Sequence, residues 1–381
     1  MTAVTTRTGA GTWTVEVRCD DGCLAELGAD WDDLYRRSAA ATPFQSHAWL
    51  TAWWRNYGRP GRLRVVLVRR DGRLVAAAAL MRVRRWGCPV FTPVGGGLSD
   101  FTDVLCDDAA GPTAVRLLVG ALLERRDWRL LDLPEVRPGA AAEHLPAAWP
   151  GRHWRAPASL CLDLPATPVE DLVRNLPGHA RKTVRRRLNQ LDRLGMQVRA
   201  ATAGDADRAV AELLRLHAVQ WQERGGNPEH RRARFARHLT QAVRGMLDAG
   251  QAVLLEYRLD GRHVASNLVL VAPGVAGGYL YGAEPSLRDR VDIATLLVTT
   301  TMPVAHERGC ATMSMLRGAE AYKNRWRPEE ARNTRLLLTR GASPQARLYA
   351  TVALARRRAI EAAKARLPRL SAVARLLRGQ R

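Results

Sequence analysis

Two Asp-Gly pairs, Asp71-Gly72 and Asp260-Gly261, each sit between two runs of β-favouring residues. Such a pair marks a tight hairpin, because both central positions must take positive φ. The first predicts strands over Leu63 to Arg69 and Leu74 to Val83, the second over Ala252 to Leu259 and His263 to Val271. The order of elements after each hairpin is also alike: a glycine-containing segment with a strand, then one helix, then one more strand. In the first half these are the loop 93–99 with Phe101 to Cys106, a helix over Pro112 to Arg126, and Arg129 to Leu133. In the second they are Gly277 to Gly282, a helix over Asp292 to Arg308 capped by Asp292, and Ala311 to Leu316. A repeated order over roughly 150 residues predicts an internally duplicated chain of mixed α/β sheets. The expected units are 1–155, 156–341 and a basic helical tail, 342–381, with a Pro-, Gly- and Ala-rich crossover at 134–158.

The chain is 46% hydrophobic and 25% charged, which fits a folded protein and excludes a disordered or disulfide-scaffold chain. Its longest wholly apolar run, Leu74 to Met81, falls far short of the ~20 residues that span a bilayer, and residues 1–13 carry no apolar signal-like core. Only Cys19 and Cys23 lie close together among six cysteines, and no second pair completes a zinc site. A cytoplasmic, metal-free protein is the expectation. HExxH, GxSxG and EF-hand patterns are absent, and the nine histidines are dispersed.

The charge is unusual. Lys plus Arg is 59 against 37 acids, a net +22, which favours polyanionic partners such as nucleic acid, CoA-like phosphates or acidic membrane. Only Lys182, Lys323 and Lys364 are lysines, so part of the surplus reflects an arginine-rich codon habit.

Four segments carry candidate chemistry. On a helix, residues 179–194 put Val184, Leu188 and Leu191 on one stripe and Lys182, Arg186, Asn189 and Arg193 on the opposite one, a core side and a cationic side. The segment 313–326 (MSMLRGAEAYKNRW) follows a short strand with Arg317, Gly318, Glu320, Tyr322, Lys323, Arg325 and Trp326; polar groups just past a strand end are typical of α/β sites. The loop GGGLSDFTD at 95–103 offers close backbone approach and acceptors at Ser99, Asp100 and Asp103. Tyr279 and Tyr281 are placed on one strand face, and His217 and Trp221 lie one turn apart on a helix.

These segments and their order, from FQSHAWLTAWWRNYG at 44–58 through ARKTVRRRLNQLDRLG at 180–195 to LRGAEAYKNRW at 316–326, resemble the CelD-type acyltransferases. That family pairs two GNAT-like domains and is related to the Fem-type aminoacyl transferases. The resemblance implies tandem GNAT-like folds and transfer of an acyl group from acyl-CoA to an amine on a small molecule or saccharide. It implies Glu320, Tyr322, Lys323 and Asp100 as groups of the reaction. Arg181, Lys182, Arg186, Arg317 and Gly318 would hold the donor, and Tyr281, Trp221 and Trp326 the substrate. The segment SLRDRVDIATLL lacks the glycine-rich phosphate loop of single-domain GNAT enzymes. A Fem-like ligase with aminoacyl-tRNA as donor and a non-catalytic nucleic-acid-binding or scaffold protein are the alternatives. The tail, with ten basic residues against Glu361, would make at most weak contact with anionic lipid or RNA.

Overall fold

The computed structural model describes residues 2–8, 11–221, 227–318, 320, 322–359 and 362. Its strands are β1 (Thr2–Thr8), β2 (Gly11–Arg18), β3 (Leu63–Arg70), β4 (Arg73–Arg85), β5 (Cys88–Pro93), β6 (Leu105–Cys106), β7 (Leu130–Val136) and β8 (His153–Pro165). They continue with β9 (Gln197–Ala200), β10 (Ala252–Leu259), β11 (Arg262–Val271), β12 (Val275–Ala283), β13 (Thr312–Arg317) and β14 (Glu329–Thr339). The larger helices are α1 (Gly28–Arg36), α2 (His47–Tyr57), α3 (Gly111–Glu124), α4 (Val169–Arg174), α5 (Gly178–Arg193), α6 (Ala206–Trp221), α7 (Ala233–Asp248), α8 (Ile293–Glu307) and α9, residues 344–359.

Both Asp-Gly hairpins form. Asp71 and Gly72 sit at φ 50° and 80°, Asp260 and Gly261 at 51° and 75°, the paired positive values of a tight primed turn. Pro177 splits the helical run after residue 168 into α4 and α5. Helix α2 starts where Ser46 accepts a hydrogen bond from the Trp49 N–H. The expected strand over Phe101 to Cys106 shrinks to Leu105–Cys106, because Ser99, Thr102 and Asp103 bond loop backbone and side chains instead of a ladder.

The strands form one sheet in the order β1-β2-β3-β4-β5-β7-β14-β8-β13-β12-β11-β10-β9, with β6 on β4. Each half contains an antiparallel hairpin, a third antiparallel strand, a crossover helix and a strand parallel to the third. β5 pairs in parallel with β7, and β12 with β13. This is the duplication expected from the element order. The halves then exchange their last strands. β8 pairs with β13, β14 pairs with β7, and β8 and β14 pair with each other. The boundary expected at 155/156 falls inside β8.

One core cluster joins the halves on one side of the sheet, where α1 and α2 meet α6 and α7. Its centre is aromatic: Trp49 lies edge-on to Tyr279 and His238, with ring centroids 5.2 and 4.7 Å away. Helices α2 and α7 pack so closely that a Cβ at Gly245 would sit 2.9 Å from that of Ala48. On the other side α3 covers the first half, and α4, α5 and α8 cover the second.

His238 is fully buried in that aromatic cage, and burial pushes its imidazole down to about 4; His230, stacked on Phe235, is likewise near 4. A depressed imidazole is neutral when folded and takes a proton on unfolding at its ordinary value, 6.5. The stability it lends is therefore present above pH 6.5 and is lost as pH falls toward 4. Urea unfolding at steps between those values should show the free energy falling by about 2–3 kcal/mol per histidine, with a shallower decline in His238→Phe.

Candidate active site

The parallel pair β12–β13 is registered only over Val275–Gly277 against Thr312–Ser314. Beyond it the strands diverge, while β12 keeps β11 on its other edge through Ala283. Gly278, just past the split, is exposed. A V-shaped gap thus opens in the sheet; past the split, the Tyr281 carbonyl meets His217 Nδ1 at 2.8 Å and the Ala283 N–H donates to Gln220 Oε1 at 2.9 Å.

Two irregularities shape the walls. Between β13 and β8, Ser314 faces Asp163 and Arg317 faces Cys161, so β13 carries an extra residue, and Leu316 takes φ 54°. A bulge with a leucine in the left-handed region is strained, and it re-aims the side chain that follows, Arg317. On β12, Leu268 faces Leu280 and Val269 faces Gly278, which leaves Tyr279 as the extra residue. The one-face placement of the two tyrosines is corrected here. The bulge sends Tyr279 into the aromatic core, its hydroxyl donating to the Leu98 carbonyl at 3.0 Å, while Tyr281 lines a cleft.

That cleft, of about 620 Å³, lies at the mouth of the gap. Arg186, Arg187 and Gln190 come from α5, Arg288, Asp289 and Arg290 from the segment after β12, Ile293, Ala294 and Leu297 from α8, and Tyr281 and Tyr322 from either side. Asp292 stands at the N-cap of α8 as expected, but its carboxylate is drawn away by Arg187, by Arg325 at 2.6 Å and by the Thr295 hydroxyl at 2.6 Å. No side chain caps the helix, so its first-turn N–H groups and the positive end of its dipole are left for an anion. Burial, and after it the neighbouring Arg325 and Arg186, lower the Arg187 pKa.

Helix α5 has the two sides expected of it. Val184 is fully buried and Leu188 and Leu191 pack on the core, while Arg181, Lys182, Arg186, Asn189 and Arg193 line an open groove of about 370 Å³. Arg186 belongs to both groove and cleft.

The other expected site residues fall into separate places. Tyr322 is 39% exposed and reaches the cleft; burial and the nearby Glu320 raise its hydroxyl pKa above the ordinary value. Lys323 does not join it. Its ammonium is buried and donates to the carbonyls of Met315 at 2.9 Å and Gly318 at 3.2 Å, with the Glu320 carboxylate at 2.8 Å. An ammonium has three donors, and these partners use them. The lysine clamps the end of β13 instead of holding a ligand phosphate. Gly318, at φ 121°, allows the Glu320 carboxylate to fold over it; a Cβ there would lie 2.6 Å from Glu320 Oε1. Trp326 is buried in the core with Val184 and Met313, a packing position and not a substrate wall. Trp221 ends α6, and its side chain lies outside the described set.

Arg317 turns away from the cleft to the seam between the halves. Its Nε donates to Asp100 Oδ1 at 2.5 Å, and Nη1 lies 3.6 Å from Glu135. The glycine loop presents Asp100, with Ser99 accepting from Trp49 Nε1 at 3.0 Å. Burial pushes the Asp100 carboxyl pKa up against the pull of Arg317. Glu135 also takes Ser159 and Asn333 as donors, both from strands at the seam.

Sequence reasoning missed Arg187, Arg288 and Arg290. The signal was available: SLRDRVD is a polar cluster just past a strand end, the same pattern that singled out residues 317–326.

Residues 178–324 match the family model for the acetyltransferase (GNAT) domain. FemX has a similar structure: TM-score 0.60 and 13% identity, over 81% of this chain and 95% of that one. A conserved protein of unknown function from Bacteroides thetaiotaomicron VPI-5482 gives TM-score 0.56 and 13% identity, over 82% and 97%. No curated protein matches the chain.

Replacing Lys323 by Met should keep the packed stem but leave buried carbonyls unmet. Unfolding free energy should fall by about 2 kcal/mol in urea titrations, with acyl-donor affinity changed less than by any arginine of the cleft.

The second half of the chain therefore carries an acetyltransferase (GNAT) domain, within a tandem GNAT-like fold, and the protein is an acyltransferase of that kind.

Proposed function

We propose that the chain is an N-acyltransferase of the CelD type, moving an acyl group from acyl-CoA to the amine of a small molecule or saccharide. The observation that carries this reading is the split between β12 and β13, with the uncapped N-terminus of α8 and a cluster of arginines at its mouth. A diphosphate-bearing donor meets the charge requirement of that mouth, with Arg186, Arg288 and Arg290 as its phosphate partners. The acyl arm then lies in the gap, where backbone N–H groups of β12 past Gly277 would polarise the thioester carbonyl and stabilise the oxyanion by a few kcal/mol.

In the reaction the neutral amine attacks the carbonyl, the carbon–sulfur bond breaks, and the proton lost by nitrogen passes through water to the exposed Glu320 carboxylate beside Tyr322, since Asp100 is held at the seam by Arg317. Tyr322, a neutral phenol lining the cleft, gives a proton to the departing thiolate. No metal is needed for these steps.

One observation favours a second donor. The cationic groove on α5 continues from the cleft through Arg186, more positive surface than one CoA requires. An aminoacyl-tRNA, as in a Fem-like ligase, would use it, and its binding would fall steeply with salt as counterions are released.

Native mass spectrometry with acetyl-CoA and longer acyl-CoAs is the direct test, and failure of every acyl-CoA to bind would sink the reading. Arg288→Gln with Arg290→Gln should raise the KM for acyl-CoA about tenfold at nearly constant kcat. Tyr322→Phe should lower kcat by about 10²-fold with KM little changed.

A further inference from the structure

Away from the cleft, β4 and β5 are joined by a third primed turn, Trp86-Gly87, at φ 49° and 75°. A tryptophan in the left-handed region is strained, and here it is 64% exposed at the hairpin tip. Its ring lies 5.4 Å from that of Tyr349 in α9. Helix α9 buries Ala346, Tyr349, Ala350 and Ala353 against Cys88, Val90, Leu130 and Leu337. Its outer side shows Leu348, Val352, Ala355 and Ala359, all exposed and spaced four, three and four apart, so they form one stripe. Leu348 is as exposed as Trp86.

Arginines surround this apolar ridge. Arg84 and Arg85 lie on the hairpin, and Arg347, Arg356 and Arg358 on the helix; all are exposed, and none has an ion-pair partner among the described residues. Unlike the cationic groove on α5, this rim surrounds exposed apolar side chains. A strained, outward tryptophan, an aliphatic stripe beside it and unpaired cations around both match the demands of one partner. At a lipid surface the ring and the aliphatic groups enter the headgroup boundary while the guanidiniums meet phosphates. A nucleic acid would use the arginines yet leave Leu348 and Val352 in water, and a second copy would bring like charges together.

We propose that Trp86, Leu348, Val352 and their arginine rim seat the protein on an anionic phospholipid surface. The contact is peripheral, since no helix among the described residues is long and apolar enough to cross a membrane. It stands independently of the donor assignment, because none of these residues lines the cleft.

The experiment is co-sedimentation of the full chain with phosphatidylcholine vesicles, plain or with about a third phosphatidylglycerol. Binding should require phosphatidylglycerol and weaken as salt rises from about 0.1 M to about 0.5 M. Trp86→Ala combined with Leu348→Ser should weaken it about tenfold or more, with the melting temperature and acyl-CoA binding as in the wild type. Arg84→Gln with Arg85→Gln should weaken it and flatten its salt dependence. Brominated phosphatidylglycerol should quench tryptophan emission in the wild type and less in Trp86→Phe, a substitution that keeps an exposed aromatic ring. The proposal is overturned by absence of binding to the anionic vesicles, or by binding that survives Trp86→Ala with Leu348→Ser. A lipid-free dimer that these substitutions dissociate, or tRNA affinity that they abolish without any vesicle binding, overturns it too.

Discussion

The antiparallel ladder between β8 and β14 is what makes the two halves one molecule. After its parallel crossover each half ends in an open edge, β7 in one and β13 in the other. An open edge in a buried sheet leaves donors and acceptors unmet. β14 closes the first and β8 the second, and their mutual pairing runs from Glu329 against Asp163 to Leu338 against His153. Side chains reinforce the seam. Arg335 grips Asp132 at 2.8 and 2.6 Å, with Tyr349 donating to the same carboxylate, and Arg137 meets Asp163 at 2.7 Å. Charges this buried contribute only when fully paired, so they fix register more than they add stability.

That register positions the candidate site. The bulge that turns Arg317 lies on β13 directly against β8, and Asn333 of β14 reaches Glu135 beside the same guanidinium. The cleft depends on the opposite property, the ending of a ladder. Where β12 and β13 part, a helix N-terminus with no side-chain cap and four arginines, Arg186, Arg187, Arg288 and Arg290, share a cleft with two acids, Asp289 and Asp292. One carboxylate, Asp292, ties Arg187 and Arg325 together, while Arg288 lines the cleft without an ion pair among the described residues.

Much of this was legible in the residues. The Asp-Gly turns, the Pro177 break and the apolar stripe of α5 each rest on local chemistry, and each gave an element close to its observed place. Other parts were not local. β5 reads CPVFTP, whose two prolines argue against a strand, yet it pairs because its neighbours supply the ladder. The Trp86-Gly87 turn has no turn-forming residue at its first position. β14 opens with EEARNTR, polar enough to pass for a loop; it is the seam's charge network that gives Asn333 and Arg335 partners in the sheet. At the site, Lys323 is one of three lysines, and its compact ammonium suits the carbonyls of a sharp strand end, which is its use here. Tyr322 and Arg186 did reach the cleft, since both sit where an element ends or presents its polar side.

The exchange of β8 and β14 carries a consequence for biogenesis. The first half is translated early, but the strand that covers its β7 edge emerges some two hundred residues later. A nascent chain of this protein thus holds an unsealed, hydrophobic β edge while those residues are being made. Until Thr339 is clear of the exit tunnel, that edge is open to pairing with any other strand it meets.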